Sequence, residues 1–355
     1  VVEITEALTA NGHRALIACE SGPLTQAALR AGGEIFELPL ATKSPFNMRR
    51  NAGKLAALIK EQGVDLVHAH SRAPAWSALW ATRKTKTPFV TTYHGTYSED
   101  APFKRQYNGV MAEGDRVIAV SHFIAGLVRQ RHAVDEAILR TIPGGVDLRK
   151  FDPAAVLGDR VTRLARAWRL EMGAPTIMLP GRLTEWKGQR LAISALSMLR
   201  HSDALLVLVG GDQGREAYAQ SLVAFADTLG VSDRLRMVGH SEDMPAALMM
   251  ADIVLNCSTD PEAFGRVVIE AQAMGRMVIA ANHGGAAETI ADRVTGRLVP
   301  PGDAAALAEA IDAALMMPAE ARIAWGIRAR AMVAENYSVT AMQYAVMRVY
   351  GELLD

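Results

Sequence analysis

Short runs of apolar and β-branched residues alternate with amphipathic stretches along the whole chain. The run Leu205-Leu206-Val207-Leu208-Val209 contains no polar residue, a pattern that fits a strand of a parallel sheet covered on both faces. Runs of this kind predict strands over residues 13–19, 35–38, 66–70, 89–93, 117–120 and 140–142. A second series follows over residues 176–179, 205–209, 235–238, 253–256, 277–280 and 296–299. Strands separated by helices imply right-handed βαβ units and doubly wound parallel sheets, an α/β class.

The two series are separated by a break. Pro143-Gly144-Gly145 closes a strand, Phe151-Asp152-Pro153 reads as a turn, and Pro175 precedes a fresh strand. Two Rossmann-like domains facing a cleft follow from this, over residues 1–155 and 156–337. Ser338 is a fitting N-cap for an amphipathic helix running to Leu354, which makes residues 338–355 a separate C-terminal element. The chain opens at Val1 inside a helical pattern of Val2, Ile4 and Leu8. A doubly wound domain ordinarily begins with a strand and a glycine-rich turn, so both are expected upstream of Val1.

Composition narrows the picture modestly. A chain of 355 residues is long enough for two cores. Its net charge of zero argues against nucleic acid as a partner. Residues 1–160 carry an excess of four positive charges, and the remainder carries an equal negative excess. Cys19 and Cys257 fall in apolar runs with neither disulfide nor metal spacing. No apolar run approaches the roughly 20 residues of a membrane span and no signal peptide is visible. A cytoplasmic protein is expected, with peripheral membrane contact left open.

The residues that can carry chemistry follow predicted strands, where ligands of open α/β sheets sit. In Pro261-Glu262-Ala263-Phe264-Gly265-Arg266-Val267-Val268-Ile269-Glu270-Ala271, two carboxylates flank a Phe-Gly turn and an apolar run that stops at Gly275. The pattern predicts a helix, with Glu262 in the loop before it and Glu270 about one turn inside. Helix N-termini attract phosphate and acids accept from hydroxyls, a combination that suits a sugar nucleotide. Glu270 also reads as a first-turn acid compensating the helix dipole. Pro180-Gly181-Arg182-Leu183-Thr184-Glu185-Trp186-Lys187-Gly188 brings Arg182 and Lys187 to a strand's end as cations for phosphate oxygens. Alone, that pair reads as solvated loop cations; beside the Glu262–Glu270 segment, phosphate becomes the better reading.

His94-Gly95 ends a strand of the first domain, a position equally suited to capping. His68 and His70 share one strand face without an evident third metal ligand. Asn282-His283-Gly284-Gly285 offers backbone amides to a phosphate or makes a tight turn. Gly210-Gly211-Asp212-Gln213-Gly214 lacks the dinucleotide pattern G-x-G-x-x-G. Neither an Asp-x-Asp motif nor a phosphate loop of the G-x-x-x-x-G-K-S/T type occurs, so no bound metal is expected. The diphosphate charge then falls to Arg182, Lys187 and helix dipoles. Basic residues gather at Arg49/Arg50/Lys54, Arg83/Lys84/Lys86, Lys104/Arg105 and Arg129/Arg131. They form a solvated face, or attract an anionic acceptor or membrane surface.

Taken in order, Tyr93-His94-Gly95, Pro143-Gly144-Gly145-Val146-Asp147, Gly181-Arg182-Leu183…Lys187-Gly188, Glu262…Glu270 and Gly284-Gly285…Glu288 resemble the retaining glycosyltransferases of family 4, which have the GT-B fold. The resemblance covers nearly the whole chain. It implies that the second domain binds a nucleotide sugar, the first binds the acceptor, and the last helix crosses back onto the first domain. Carried over by position, Arg182 and Lys187 hold the departing diphosphate, Glu262 holds hydroxyls of the donor sugar, and His94 approaches that sugar from the first domain. Glu270 accepts from the ribose, and amides around Phe264, Gly265, Arg266 and Val267 meet sugar and phosphate. Gly181 and Gly211 complete the donor site, with Met237 to Gly239 near the base. The implied co-substrate is a nucleotide-diphosphate sugar, with no cofactor and no metal. In the family's front-face substitution the departing phosphate takes the acceptor's proton, and the protein contributes positioning and charge stabilisation.

Three features depart from the family pattern. Its Gly-Gly loop after the first strand has no counterpart here, Gly144 stands where Asn is common, and Arg266 stands where many members are apolar. The stretch His68-Ala69-His70-Ser71-Arg72-Ala73-Pro74-Ala75-Trp76 resembles a subgroup acting on the lipopolysaccharide core in α-proteobacteria, mannosyltransferases included. That likeness implies GDP-mannose as donor, an anionic glycan or glycolipid acceptor met by Ser71 and Arg72, and work at the cytoplasmic face of the inner membrane. A sugar-nucleotide epimerase on the same fold and a non-catalytic sugar-nucleotide-binding protein stand beside it. A nicotinamide oxidoreductase is disfavoured by the missing fingerprint.

Overall fold

A computed structural model describes residues 1–101, 103–170 and 173–354; Pro102, Glu171, Met172 and Asp355 lie outside the described residues. The chain divides into two compact units, residues 1–144 with 339–355, and residues 145–338. The first contains α1 (Val2–Ala10), β1 (Leu16–Cys19), α2 (Thr25–Arg30), β2 (Glu34–Glu37), α3 (Pro45–Gln62) and β3 (Val67–Ala69). It continues through α4 (Arg72–Thr85), β4 (Phe89–Tyr93), α5 (Lys104–Gly109), β5 (Arg116–Ala119), α6 (His122–His132) and β6 (Leu139–Thr141). The second runs from α7 (Gly158–Ala167) through β7 (Thr176–Pro180), α8 (Gln189–Met198), β8 (Leu205–Val209), α9 (Glu216–Thr228) and β9 (Leu235–Met237). There follow α10 (Met244–Met249), β10 (Ile253–Asn256), α11 (Arg266–Ala273), β11 (Met277–Ala281), α12 (Gly284–Ala287) and β12 (Arg297–Val299). Helices α13 (Ala304–Leu315) and α14 (Ala319–Asn336) close that unit, and α15 (Val339–Leu354) belongs to the first.

Each strand expected from the apolar runs is present, and every registered pair is parallel. The first strand is shorter than expected and starts at Leu16. Arg14, before it, points its guanidinium to Glu34 at 2.8 Å instead of entering the sheet. In the second unit the order is β12-β11-β10-β7-β8-β9. Strands β7, β8, β10 and β11 are buried at every position, as a sheet with helices on both faces requires. The first unit carries its strands as two sheets, β1-β2 and β3-β4-β5-β6.

The linker differs from the expected boundary at residue 155. Residues 145–155 belong to the second unit, because their polar groups are met there. Val146 N–H donates to the Tyr337 carbonyl at 2.9 Å, and Arg330 pairs with Asp152 at 3.0 Å. Helix α15 is held in the first unit by Val346, Val349 and Tyr350, which pack with Val90, Ile118 and Ile142. Each fully buried side chain of this kind adds about 1.5–3 kcal/mol. Glu352 then bridges Arg116 and Arg140, at 2.7 Å from each. Among the described residues no helix is long and apolar enough to cross a membrane.

Candidate functional site

Strand order in the second unit reverses between β7 and β10. Loops leaving such a switch point diverge to opposite faces of the sheet and open a crevice beyond the strands' carboxyl ends. The loop after β7 carries Arg182 and Lys187, and the loop after β10 carries Glu262. These two loops meet. Lys187 Nζ lies 2.7 Å from Glu262 Oε1, with only 13% and 11% of the two side chains exposed. Asn256 Nδ2 donates to the same oxygen at 3.0 Å, and Ser258 Oγ donates to it as well. Three donors on one oxygen fix the carboxylate's orientation. Among the described residues Oε2 has no partner, which leaves it to accept from a hydroxyl.

Glycines allow the loops to come this close. Gly188 has φ +78°, and a Cβ there would stand 2.0 Å from the Cys257 carbonyl oxygen. Thr259 N–H donates to the Trp186 carbonyl at 2.8 Å, which seats the turn Glu185–Lys187 on the chain leaving β10. Burial pushes the neighbouring Cys257 thiol up to about 12, so it is an inert packing group. Behind Glu262 lies the second Gly-Gly turn. Gly285 N–H donates to the Glu262 carbonyl at 2.8 Å, and Gly284, with φ +65°, allows no Cβ beside the Glu262 backbone. Of the two sequence readings of Gly284-Gly285, the tight turn is therefore realised, and the Gly285 amide is already engaged.

Gly265 precedes α11 with φ +81°. Phe264 is buried, its ring 6.0 Å from that of Tyr337. Arg266 opens the helix, Val267 follows it, and Glu270 lies just over one turn in, its carboxylate 3.7 Å from Arg266. Arg182 is exposed, and among the described residues no side chain pairs with its guanidinium; its carbonyl accepts from Gln189 at 2.9 Å. Around Gly181 the tightest glycine is Gly210, where a Cβ would fall 1.9 Å from the Gly181 carbonyl oxygen. At Gly211 an added Cβ meets nothing within 4 Å. Met237 ends β9 half-buried, and Gly239 beyond it is left-handed at φ +72° in open space.

The first unit holds a histidine cluster. His68 contacts Tyr350 Oη at 2.6 Å and Thr92 Oγ1 at 2.7 Å. His70 Nδ1 lies 3.1 Å from His94 Nε2, and its ring stacks on that of His94. Desolvation lowers His68 to about 3 and His70 well below its usual range, and it lowers His94 as well although that residue keeps an exposed edge, so all three are neutral. Arg72 is committed internally. It donates to the buried Asn108 at 2.7 Å and covers the Tyr97 ring at 4.2 Å, whereas Ser71 is exposed just before α4. Among the described residues no three His, Cys, Asp or Glu side chains are placed to hold a metal ion.

Sequence reasoning brought Lys187 and Glu262 to the site but assigned them to different parts of the donor; the structure pairs them with each other. It missed Asn256 and Ser258, which orient Glu262. Their signal was present as polar side chains following the apolar run 253–255, at the carboxyl end of a strand.

Two family models match the chain: Glycosyltransferase Family 4 over residues 1–150 and Glycosyl transferases group 1 over residues 162–332. A D-inositol 3-phosphate glycosyltransferase of Salinispora arenicola is 32% identical over 317 residues, covering 85% of this chain and 66% of that protein. The chain spans about half to two thirds of the length of such curated relatives. A GDP-mannose-dependent alpha-(1-6)-phosphatidylinositol monomannoside mannosyltransferase of Mycobacterium tuberculosis is 29% identical, covering 80% of this chain and 75% of that one. Among solved structures, a glycosyltransferase from Rickettsia africae ESF-5 superposes with a TM-score of 0.93 at 33% identity, covering 100% of this chain and 94% of that one. The two Rossmann-like units are those of the GT-B fold.

Proposed function

The chain belongs to glycosyltransferase family 4, and from that premise we propose that it moves a hexose, with retention, from a nucleotide-diphosphate sugar to a glycan or glycolipid acceptor. The observation that carries this reading is the meeting of Lys187, Asn256 and Ser258 on one oxygen of Glu262 at the switch point of the second sheet. In the reaction the bond between the sugar's C1 and the diphosphate oxygen breaks while the acceptor oxygen bonds to C1 on the same face. The acceptor's proton passes to the departing phosphate. Arg182 and Lys187 offset the charge that develops there, and such preorganised charge is the largest catalytic contribution in many enzymes. Glu262 Oε2 accepts from a sugar hydroxyl, and Glu270 accepts from the ribose. In this reading His94 approaches the donor sugar from the first domain, and Ser71 and Arg72 contact the acceptor.

GDP-mannose is our first choice of donor, supported by the GDP-mannose dependence of the M. tuberculosis relative. A lipopolysaccharide-core acceptor at the cytoplasmic face of the inner membrane rests on the likeness of residues 68–76. A thermal-shift screen of GDP-, UDP- and ADP-sugars tests the donor, since a ligand that binds only the native state raises its apparent stability. Transfer assays follow on Glu270→Ala and Lys187→Ala. Each is expected to lose at least about a hundredfold in turnover while remaining folded by circular dichroism. Wild-type turnover in both variants would sink the assignment. Donor binding without transfer to any acceptor would favour a non-catalytic binding protein.

A further inference from the structure

The structure sorts the basic clusters of the first unit into two kinds. Lys104 pairs with Asp100 at 2.6 Å, Arg129 pairs with Glu136, and Arg131 is held by the carbonyls of Thr96 and Tyr97 at 2.7 and 2.8 Å. These clusters are neutralised or tied within the fold. The cations of α3 and the end of α4 are not, apart from Arg83, which pairs with Glu113. Residues 38–60 and 66–98 contain no acid and carry nine Lys and Arg between them. Among the described residues Arg50, Lys54 and Lys84 have no ion-pair partner, and all three are exposed.

These cations share a face with aromatic rings. Helix α3 buries Met48, Asn51, Ala52, Leu55, Ala56 and Ile59, so Phe46, Arg49, Arg50 and Lys54 turn outward; Phe46 is 76% exposed. Helix α4 packs alongside, its Ser77 Oγ donating to the Met48 carbonyl at 3.1 Å. Between the helices lies a groove of about 360 Å³ lined by Arg49, Ala52, Gly53, Trp80, Arg83 and Lys84. The Arg49 guanidinium stands 5.4 Å from the Trp80 ring centre, and Trp80 in turn lies 5.6 Å from Trp76. A second groove of about 490 Å³ shares Arg83 and has Trp76, Arg105 and His132 in its wall. Glu113, 2.7 Å from Arg83, is the carboxylate lining it.

We propose that this α3–α4 face docks on an anionic lipid bilayer, with Phe46 entering the acyl boundary and lipid phosphates seated beside Arg49, Arg83 and Lys84. The chemistry matches at three points. Indole rings favour the headgroup level of a bilayer. Arg and Lys lay their stems on apolar surface while keeping the charge at the phosphates. A basic face with an exposed aromatic ring follows the logic of interfacial helices. A nucleic acid would satisfy the cations but gives Phe46 no apolar medium. The proposal stands on this surface alone and requires no particular transfer reaction.

Sedimentation of the full chain with vesicles tests it, using phosphatidylcholine alone and with roughly 30% phosphatidylglycerol. Binding is expected only to the anionic vesicles, and to weaken as salt rises. The triple charge reversal R49E/R50E/K54E should weaken it by about a hundredfold or more, and Phe46→Ser by about tenfold. Unchanged thermal shifts with GDP-mannose or UDP-glucose in these variants would separate lost docking from lost folding or donor binding; if no sugar nucleotide shifts the wild type, the unperturbed melting temperature serves as the folding control. Equal vesicle binding by wild type and triple variant would overturn the proposal. So would complete displacement by inorganic phosphate, which assigns the groove to a small anion, or binding to an RNA oligonucleotide without binding to vesicles.

Discussion

Lys187 and Glu262 stand 75 positions apart in the chain and meet through one hydrogen bond in a nearly buried setting. Removing one partner of such a pair is costly, because the other charge keeps its desolvation without its compensation. Glu262 is cushioned here by Asn256 and Ser258, so Lys187→Met is expected to cost about 2 kcal/mol, below the range for fully buried pairs. Glu262→Gln should cost about 1 kcal/mol, since the remaining donors still find an oxygen. The double variant should fall short of the sum by about 1 kcal/mol in urea unfolding; strict additivity would mean the two groups do not stabilise each other. The residue types at this site were legible in the sequence because cations and acids beyond strand ends have few structural uses. Their pairing was not, since nothing local in residues 181–188 indicates which loop they face.

At the scale of elements, helix α11 illustrates what local pattern can determine. Its apolar run, the glycine before it and Gly275 after it bound a helix of eight residues, with Glu270 where the spacing put it. The glycines show the opposite case. Gly211 was the residue singled out from its pair, yet Gly210 is the one pressed against Gly181. The contrast between Gly188 and Gly211 gives a direct test. Gly188→Ala places a Cβ 2.0 Å from a backbone oxygen at φ +78° and should cost at least about 3 kcal/mol. Gly211→Ala meets nothing within 4 Å and should stay within about 0.5 kcal/mol of the parent. Denaturant midpoints of the two variants compare them; similar losses would mean that the close approach at Gly188 relaxes at little cost.

At the scale of the whole molecule, the clustered neutral histidines lie in the first unit, where α15 supplies Tyr350 to His68. Desolvation holds His68 at about 3, against 6.5 in an unfolded chain, and the more exposed His94 is lowered too. Between those values the unfolded state binds more protons, so stability falls as pH drops below about 6.5. His68 adds up to about 1.4 kcal/mol per pH unit to that slope, and solvent-screened His94 adds less. Hydrogen exchange followed by mass spectrometry at about pH 7.5 and 5.5 should show residues 1–144 losing more protection than residues 145–338 on acidification. Equal losses in both units would contradict the assignment.

What the sequence determined by itself was periodic or compositional: the parallel strands, their division into two series, the amphipathic C-terminal helix, and the acids and cations waiting at strand ends. Period and burial are local properties of an apolar run, and they survive without knowledge of neighbours. Tertiary structure alone decided which chain segments touch. It drew residues 145–155 into the second unit, set Lys187 against Glu262, committed Arg72 to Asn108 and Tyr97, and, among the described residues, left Arg50, Lys54 and Lys84 without ion-pair partners while pairing Lys104 and Arg129. Those outcomes depend on strand order, and a reversal between β7 and β10 leaves no mark on the residues that it brings together.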